Sequence, residues 1–371
     1  MPEDNSKANI LAQLLTDLKQ HSWSENQRTA DLLAEFKEAA VPSLIAALGD
    51  VDGFVRNGAA IALGKIGSGE SVPALFRALR WSDNRDYEYD EDKEARDSAA
   101  TALGFIGGHD VCVGLTEALR EALQTGSSSA EFIIDALGQI GDQHALPALS
   151  TIAQSGKGYL QVAAFFALAR IGSDGTHIVF NLISDRARQG RQYAVRALVT
   201  SADPECIPLL IGVARNEDED SYIRGEALRV LGRIGRQSCE ALPVLSHMLD
   251  HPDGIVRWGA LFGLGTLGDS RAYELITKQL GLPEAKFGAV VALGNLGDRR
   301  ACELLIPMLR DDNYSLRIHA AEALGKLGCR EAVPDLVRLR DTLGEDPVQM
   351  AHKAILENAL RQIHQPSVQS R

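Results

Sequence analysis

One phrase of thirteen residues recurs along the chain and limits it to a repeat architecture. An apolar residue and an arginine are followed by small residues and by a closing Leu-Gly-x-[Ile/Leu]-Gly. Clear copies span Val55–Gly67, Ala95–Gly107, Ile223–Gly235, Val256–Gly268 and Leu316–Gly328, and weaker copies end at Gly141, Gly172, Ala202 and Gly297. The spacing between copies is 29 to 40 residues. A unit this short cannot bury a core alone, so neighbouring units must stack.

A second apolar segment precedes most copies of the phrase and predicts a second helix. It opens with a proline within its first residues, at Pro42, Pro73, Pro147, Pro208, Pro243 and Pro334. Proline in a first helical turn loses no backbone hydrogen bond, so these residues mark helix starts. The closing glycines, such as Gly67 and Gly268, suit the left-handed residue that follows a helix. Each repeat is therefore predicted to be helix A, a turn, helix B and a glycine stop.

The ends of the chain depart from this pattern and predict caps for the array. Residues 1–39 are predicted to form an N-terminal capping hairpin, and residues 346–364 a C-terminal capping helix. The array itself covers residues 40–345, without an internal boundary. Residues 365–371 are predicted to be a disordered tail.

The phrase resembles the HEAT-like repeats known from phycobilisome lyases, and the resemblance covers roughly residues 40–340. It implies an all-α fold, a right-handed α-α superhelix (a HEAT-repeat solenoid) of about ten helical hairpins. Similar repeats occur in bilin lyase subunits, chaperones, assembly scaffolds, hydroxylases and DNA-repair proteins. The fold therefore does not specify the function, which depends on the site.

The phase of helix B predicts which residues face a concave groove. With the arginine of the phrase as position zero, positions −1, +3, +6, +7 and +10 are apolar or small and form the core between repeats. Positions +1, +5 and +8 point away from it. The predicted groove residues are Val162, Phe166, Arg196, Arg229, Trp258, Phe262, Phe287 and Val291, with Arg170 and Arg233 on the groove flank.

The groove residues combine rings with cations. Large apolar side chains four residues apart, as in Trp258 with Phe262, indicate a partner or ligand surface, although the same rings would also suit ordinary packing. The arginines suit carboxylates of a ligand or of an acidic helix, unless they serve helix ends or solvent. The arginine at position zero recurs too often to be a ligand site. It is predicted to pair with carbonyl groups or with Asp52 and Asp253 of adjacent turns.

One repeat contains an acidic insertion at residues 81–94. Trp81, Tyr87 and Tyr89 are candidate contacts of this insertion with a basic partner, the alternative being a solvated loop without a partner. The alternating carboxylates lack the glycine of a calcium-binding loop, so no metal site is predicted.

Composition excludes several classes of protein. The net charge of −12 argues against a general nucleic-acid binder. The odd number of five cysteines, with no CxxC pair, argues against a disulfide framework and favours a reducing cytoplasm. No stretch is long and apolar enough for a membrane span. The expected location is cytoplasmic.

No catalytic motif is present, so binding is the predicted activity. The chain has no GxSxG, P-loop or HExxH, and none of its nine histidines precedes a glutamate, unlike the His-Glu pairs of HEAT-like di-iron hydroxylases. The favoured prediction is a scaffold or chaperone-like protein that holds a protein partner in its groove, without a cofactor. The alternative is a bilin lyase or bilin-handling chaperone. Such a protein would cradle a linear tetrapyrrole between rings and arginines and attach it to a phycobiliprotein cysteine.

Overall fold

The computed structural model describes residues 2–19, 22–80, 90–155, 158–185, 189–201, 203, 205–344 and 346–364. The chain divides into two compact units, Met1–Asp203 (unit 1) and Pro204–Arg371 (unit 2). The described residues are helical in both units and contain no strand. None of the described helices is long and apolar enough to cross a membrane.

Unit 1 consists of six consecutive helix pairs. Its helices are α1 (Pro2–Asp17), α2 (Trp23–Ala34), α3 (Val41–Ala47), α4 (Gly53–Ile66), α5 (Val72–Leu79), α6 (Asp90–Ile106), α7 (His109–Thr125), α8 (Ala130–Ile140), α9 (Leu146–Ser155), α10 (Tyr159–Arg170), α11 (Gly172–Ser184) and α12 (Arg191–Ala197). Within the unit, each even-numbered helix packs against the next even-numbered helix. We call this layer of even-numbered helices the B layer.

Unit 2 contains five pairs of the same kind. Its helices are α13 (Cys206–Arg215), α14 (Ser221–Ile234), α15 (Ala241–His247), α16 (Gly254–Leu267), α17 (Ala272–Gln279), α18 (Pro283–Leu296), α19 (Cys302–Leu305), α20 (Tyr314–Leu327), α21 (Val333–Asp341) and α22 (Pro347–His364). Helices α14, α16, α18, α20 and α22 form its B layer. The all-α repeat fold is confirmed, with eleven described pairs where about ten were predicted.

Local sequence signals set the helix ends as predicted. All six prolines lie in the first turn of an A helix. Gly67 and Gly268 end α4 and α16 with φ of 75° and 72°, a left-handed conformation that a side chain would strain. The carboxylates of Asp52 and Asp253 accept hydrogen bonds from the backbone N–H of Phe54 and Ile255, at 2.9 and 2.7 Å. Both aspartates therefore cap the helix N-termini.

The arginine at position zero binds carbonyl groups, but it does not pair with those two aspartates. Arg257 Nη1 donates to the carbonyls of His251 (2.7 Å) and Pro252 (2.8 Å). Arg56 donates to the carbonyl of Asp50 and forms a buried ion pair with Asp92 of the next B helix. The predicted pairing with Asp52 and Asp253 is wrong, because both carboxylates already cap their own helices.

Positions +3, +6 and +7 of helix B are buried as predicted, whereas position +10 is only half-buried in most repeats and position +8 does not face the groove. At this position the repeat has its first glycine, which packs against the small residue at +6 of the next B helix. A Cβ on Gly64 would lie 2.8 Å from the Cα of Ala102, and one on Gly265 would lie 2.5 Å from the carbonyl oxygen of Ala292. Position +8 thus contacts the next B helix, and position +6 contacts the preceding B helix. The open stripe between them carries positions +1, +2, +5 and +9.

A disulfide joins Cys302, at the start of α19, to Cys329, which follows α20. The Cα atoms are 5.9 Å apart and the residues are separated by 27 positions. The prediction against disulfides is wrong for this pair. Stacking brings together two cysteines that are separated by about one repeat, which a search for closely spaced cysteines cannot detect.

The acidic insertion is only partly described. Trp81, Tyr87 and Tyr89 lie outside the described residues. Residues 90–94, the end of the predicted insertion, begin helix α6. Asp92, one of these residues, is 5% exposed.

Candidate binding groove

Four B helices of unit 2 position the candidate site, and their starts are fixed by the sequence. Asp220, Asp253 and Asn313 cap α14, α16 and α20 through their side chains, and Pro283 starts α18. Because the phrase then runs in the same phase through each helix, positions +1, +2, +5 and +9 recur on one face.

Three rings from successive B helices form a ladder on this face. Trp258 of α16 stacks on Phe287 of α18, with ring centroids 5.5 Å apart and planes inclined by 24°. Phe287 meets His319 of α20 edge to face at 4.4 Å. His319 Nδ1 lies 2.8 Å from the carbonyl oxygen of Ser315, to which it donates, and this bond holds the imidazole in place. All three rings remain partly exposed.

Two arginines of α14 lie over the ring of Phe262. The guanidinium carbon of Arg229 is 4.4 Å from the ring centroid and that of Arg233 is 5.7 Å away, within the range of cation–π attraction. Arg229 also pairs with Glu226 at 3.6 Å. The ring therefore holds both arginines at the edge of the ladder.

These residues surround two adjoining clefts that share Trp258. The larger cleft has a volume of about 670 Å³ and is lined by Arg233, Arg236, Trp258, Phe262, Thr266, Phe287, Val291, Asn295, His319, Glu322 and Lys326. The smaller one, of about 340 Å³, is lined by Tyr222, Gly225, Glu226, Arg229, Gly254, Ile255, Trp258 and Gly259. We call the two clefts together the unit 2 groove.

The groove has an excess of positive charge. Its two carboxylates are both paired, Glu226 with Arg229 and Glu322 with Lys326, the latter pair at 2.9 Å. Arg233 and Arg236 have no carboxylate within ion-pair distance in the described part of the chain. Both side chains are exposed. The groove therefore offers two guanidinium groups beside an apolar ladder.

The remaining predicted groove residues lie in unit 1. Val162, Phe166 and Arg170 of α10 line a separate cleft of about 700 Å³, together with Glu131, Phe132, Asp135, Gly158, Tyr159, Ala163 and Tyr193. The Arg170 guanidinium pairs with Asp135. Arg196 of α12 lies over Tyr193, with 5.7 Å from its guanidinium carbon to the ring centroid. We call this cleft the unit 1 cleft.

The structure thus gathers the predicted residues into two sets. Arg229, Arg233, Trp258, Phe262, Phe287 and Val291 border the unit 2 groove, whereas Val162, Phe166 and Arg170 line the unit 1 cleft and Arg196 adjoins it. Sequence reasoning missed His319 at position +2 and Arg236. The prediction that position +8 faces the groove is wrong. Treating the +8 glycine as a helix contact would have moved the open stripe toward +2 and +9, and so to His319.

No group of three or more His, Cys, Asp or Glu side chains suited to hold a metal ion occurs among the residues that the structure describes.

Comparison with known proteins finds the repeat family and distant relatives. The family of HEAT repeats matches residues 9–89, 176–265, 214–287 and 279–355. The phycobilisome maturation protein of Synechococcus elongatus is 28% identical over 156 residues, which are 38% of this chain and 74% of that protein. The deoxyhypusine hydroxylase of Candida albicans is 26% identical over 219 residues, which are 57% of this chain and 63% of that protein.

Among solved structures, the complex of CpcE and CpcF of phycocyanin lyase from Nostoc sp. is similar at 19% identity. The match covers 86% of this chain and 94% of that chain, with a TM-score of 0.27. Activities do not carry over at such identities, because one repeat fold serves many functions. The recurring phrase, the paired helices and the family match over most of the sequence agree: the chain belongs to the family of HEAT repeats.

Proposed function

We propose that this chain is a non-catalytic binding scaffold that holds a segment of a protein partner in the unit 2 groove. The observation that carries the proposal is the ladder of Trp258, Phe287 and His319, which leaves three rings partly exposed across three successive helices. Partly exposed rings gathered in a cleft are typical anchor points for a partner, since they bury much apolar area at low cost in side-chain entropy.

The shape of the groove favours an extended partner segment. Trp258 stands between the two clefts, so one ligand has to pass over the indole to occupy both. Four neighbouring helices span roughly 27 Å at about 9 Å per contact, which about eight residues of extended chain would cover.

Affinity capture from native lysate of the source cells tests this proposal, with a double variant, Trp258→Ala with Phe287→Ala. We expect the wild-type chain to retain a stoichiometric protein that the double variant loses. Leu304→Ala is the matched control, because Leu304 is 40% exposed on an A helix of the same unit and lines neither cleft. Circular dichroism verifies that both variants fold. A partner retained equally by the wild-type chain and the double variant would show that the groove is not the binding face.

The second candidate function is the handling of a linear tetrapyrrole. It is supported by aromatic walls with adjacent arginines around a cleft of about 670 Å³, a volume suited to a small molecule, and by the similarity to a phycobilisome maturation protein. In that case Arg229 and Arg233 would pair with the two propionates. The acceptor phycobiliprotein would supply the nucleophilic cysteine.

Incubation with phycocyanobilin separates the two candidates. Binding in the groove should give a red-shifted, protein-bound absorption that is lost in Trp258→Ala and in Arg229→Ala and retained in Leu304→Ala. A wild-type chain that leaves the spectrum of the free bilin unchanged excludes this second function.

The cytoplasmic location stays a prediction. The Cys302–Cys329 bond weakens its basis in cysteine usage, since reducing compartments seldom keep disulfides.

A further inference from the structure

We infer that the unit 2 groove selects an acidic segment, with carboxylates bound at Arg233 and Arg236 and a flat apolar side chain packed against the ladder of Trp258, Phe287 and His319. The inference rests on the proposed function and names the chemistry of the partner. It follows from the charges that the groove leaves unpaired and from where they lie relative to the rings.

The charge argument starts from the ion pairs within the groove. Both of its carboxylates, Glu226 and Glu322, are within 3.6 Å of a cation of their own helix. The two other arginines have no carboxylate within ion-pair distance among the residues of unit 2 that the structure describes. The positive charge of the groove would repel a cationic segment, whereas carboxylates form bidentate hydrogen bonds with guanidinium groups.

The two arginines are placed at one end of the groove. Arg233 lies in the last turn of α14, and Arg236 lies in the 3-10 turn Gly235–Gln237 that follows it. The ladder begins on α16 and ends on α20. A segment that crosses the helices therefore meets cations first and rings next, so its acidic residues should precede or follow its aromatic residue along the sequence.

A polyanion such as nucleic acid is a poorer fit than an acidic peptide. Among the described residues that line the groove, only Arg233 and Arg236 are exposed arginines, whereas phosphate-backbone binding depends on many cations, and the chain as a whole has a net charge of −12. Two carboxylates match two guanidinium groups, and the ring ladder takes an apolar side chain that a phosphate backbone does not offer.

Selection from a displayed library of random peptides of about twelve residues tests the inference, because such peptides exceed the length of the groove. Peptides that the wild-type chain retains are then passed over the immobilised Trp258→Ala variant. Those that still bind are discarded, because they bind outside the groove. We expect the remaining sequences to be enriched in Asp and Glu on one side of an aromatic residue.

Binding of an enriched peptide is then measured by fluorescence anisotropy. We expect Arg233→Gln and Arg236→Gln each to weaken binding about two- to fivefold and the double variant about tenfold, as for exposed ion pairs. Raising the salt from about 0.05 M to about 0.5 M should reduce this difference. Arg310→Gln is the control: it removes the same charge from unit 2, where Arg310 pairs with Asp335 at 2.7 Å, and should leave binding unchanged.

The outcomes separate the inference from the proposed function. Enriched peptides that depend on Trp258 but are basic or uncharged would overturn the acidic class and leave the groove as the binding face. Acidic peptides that bind the wild-type chain and both arginine variants with equal affinity would overturn the assigned contacts with Arg233 and Arg236. A selection in which no sequence depends on Trp258 would count against the proposed function itself.

Discussion

The unit 1 cleft and the unit 2 groove each lie on the B layer of their own unit and are built from the same phrase, yet the arginines that line them differ in their ion pairs. In unit 1, Arg170 at position +9 pairs with Asp135 of the neighbouring helix. In unit 2, Arg233 at the same position lies over Phe262 and has no carboxylate partner in the described residues. The phrase fixes where a side chain points, and the residue on the adjacent helix decides whether its charge is available to a ligand.

Two arginines at position zero, one in each unit, also differ in their partners. Arg56 of unit 1 is 1% exposed and pairs with Asp92, whereas Arg257 of unit 2 is half-buried and donates to the carbonyl groups of His251 and Pro252. Arg56 and Arg257 therefore stabilise the same position of the repeat through different partners. Unit 2 in turn contains the disulfide.

The largest effect is expected from Arg56→Met. This substitution removes the buried ion pair between Arg56 and Asp92 and should lower the free energy of unfolding of unit 1 by about 3–5 kcal/mol. Arg257→Met removes hydrogen bonds to carbonyls and should cost about 1 kcal/mol. Urea unfolding followed by circular dichroism measures both, and Arg56→Met with Asp92→Leu should recover part of the loss. Equal losses at Arg56 and Arg257 would contradict the contrast.

Removal of the disulfide should come next. Cys302→Ala with Cys329→Ala should lower the stability of unit 2 by about 3 kcal/mol, since the bond closes a loop in the unfolded chain. Denaturant unfolding is followed by the fluorescence of Trp258 in a chain that also has Trp23→Phe and Trp81→Phe, so that the signal comes from unit 2 alone. The same titration with dithiothreitol should reproduce the shift. Identical curves for the oxidised and reduced chains would argue against this bond.

A smaller effect is expected when the unit 1 cleft is made to resemble the unit 2 groove. Asp135→Asn removes the carboxylate partner of Arg170 and should strengthen the binding of an acidic peptide to this cleft about two- to fivefold. The measurement is made by anisotropy in the Trp258→Ala background, where the unit 2 groove is impaired. Glu131→Gln, which also removes one charge from the cleft lining, is the control. If both variants act equally, net charge explains the gain better than the released arginine does.

The smallest effect concerns the turns that follow helix B. In unit 1, a side-chain hydrogen bond to Asp142 raises the pKa of His109. Two hydrogen bonds lower the pKa of Asp142: the larger effect comes from the backbone N–H of His144 and the smaller one from the His109 side chain. In unit 2, Arg300 lowers the pKa of Asp298 through a side-chain hydrogen bond. The carboxylate of the unit 1 turn is thus bound by a histidine, which loses its charge near neutral pH, whereas that of the unit 2 turn is bound by an arginine, which stays charged.

The sign of the pH effect follows from these directions. The contribution of His109 is full below its unfolded pKa, about 6.5, and is lost as the pH rises through the raised folded value, whereas that of Asp142 is lost as the pH falls below about 4. The Asp298–Arg300 contact should persist from neutral to mildly alkaline pH. An NMR titration of the His109 ring should show its pKa fall in Asp142→Asn. An unchanged titration would exclude this contact in solution.

Part of the architecture could be predicted because it is encoded locally. Proline in a first turn, a capping aspartate and a left-handed glycine each act within a few residues, so the ends of helices such as α4 and α16 follow from the sequence. The core positions of helix B follow from its period. The division at residue 203 has no such local signal beyond the weak phrase that ends at Ala202, where Val199 replaces the first glycine of the repeat.

The sequence by itself determined the repeat, the helix pairs and the core stripe, because periodicity and capping are properties of neighbouring residues in one chain. Only the tertiary structure decided what lies across each helix–helix contact. It placed Gly265 against Ala292, so that the open stripe includes His319. It also paired Arg170 with Asp135, whereas Arg233 has no carboxylate within ion-pair distance among the described residues. It also joined Cys302 to Cys329. These contacts join residues that are about one repeat apart in the sequence. Which residues meet depends on how two neighbouring helices are rotated relative to each other, and the period of one helix does not reveal this.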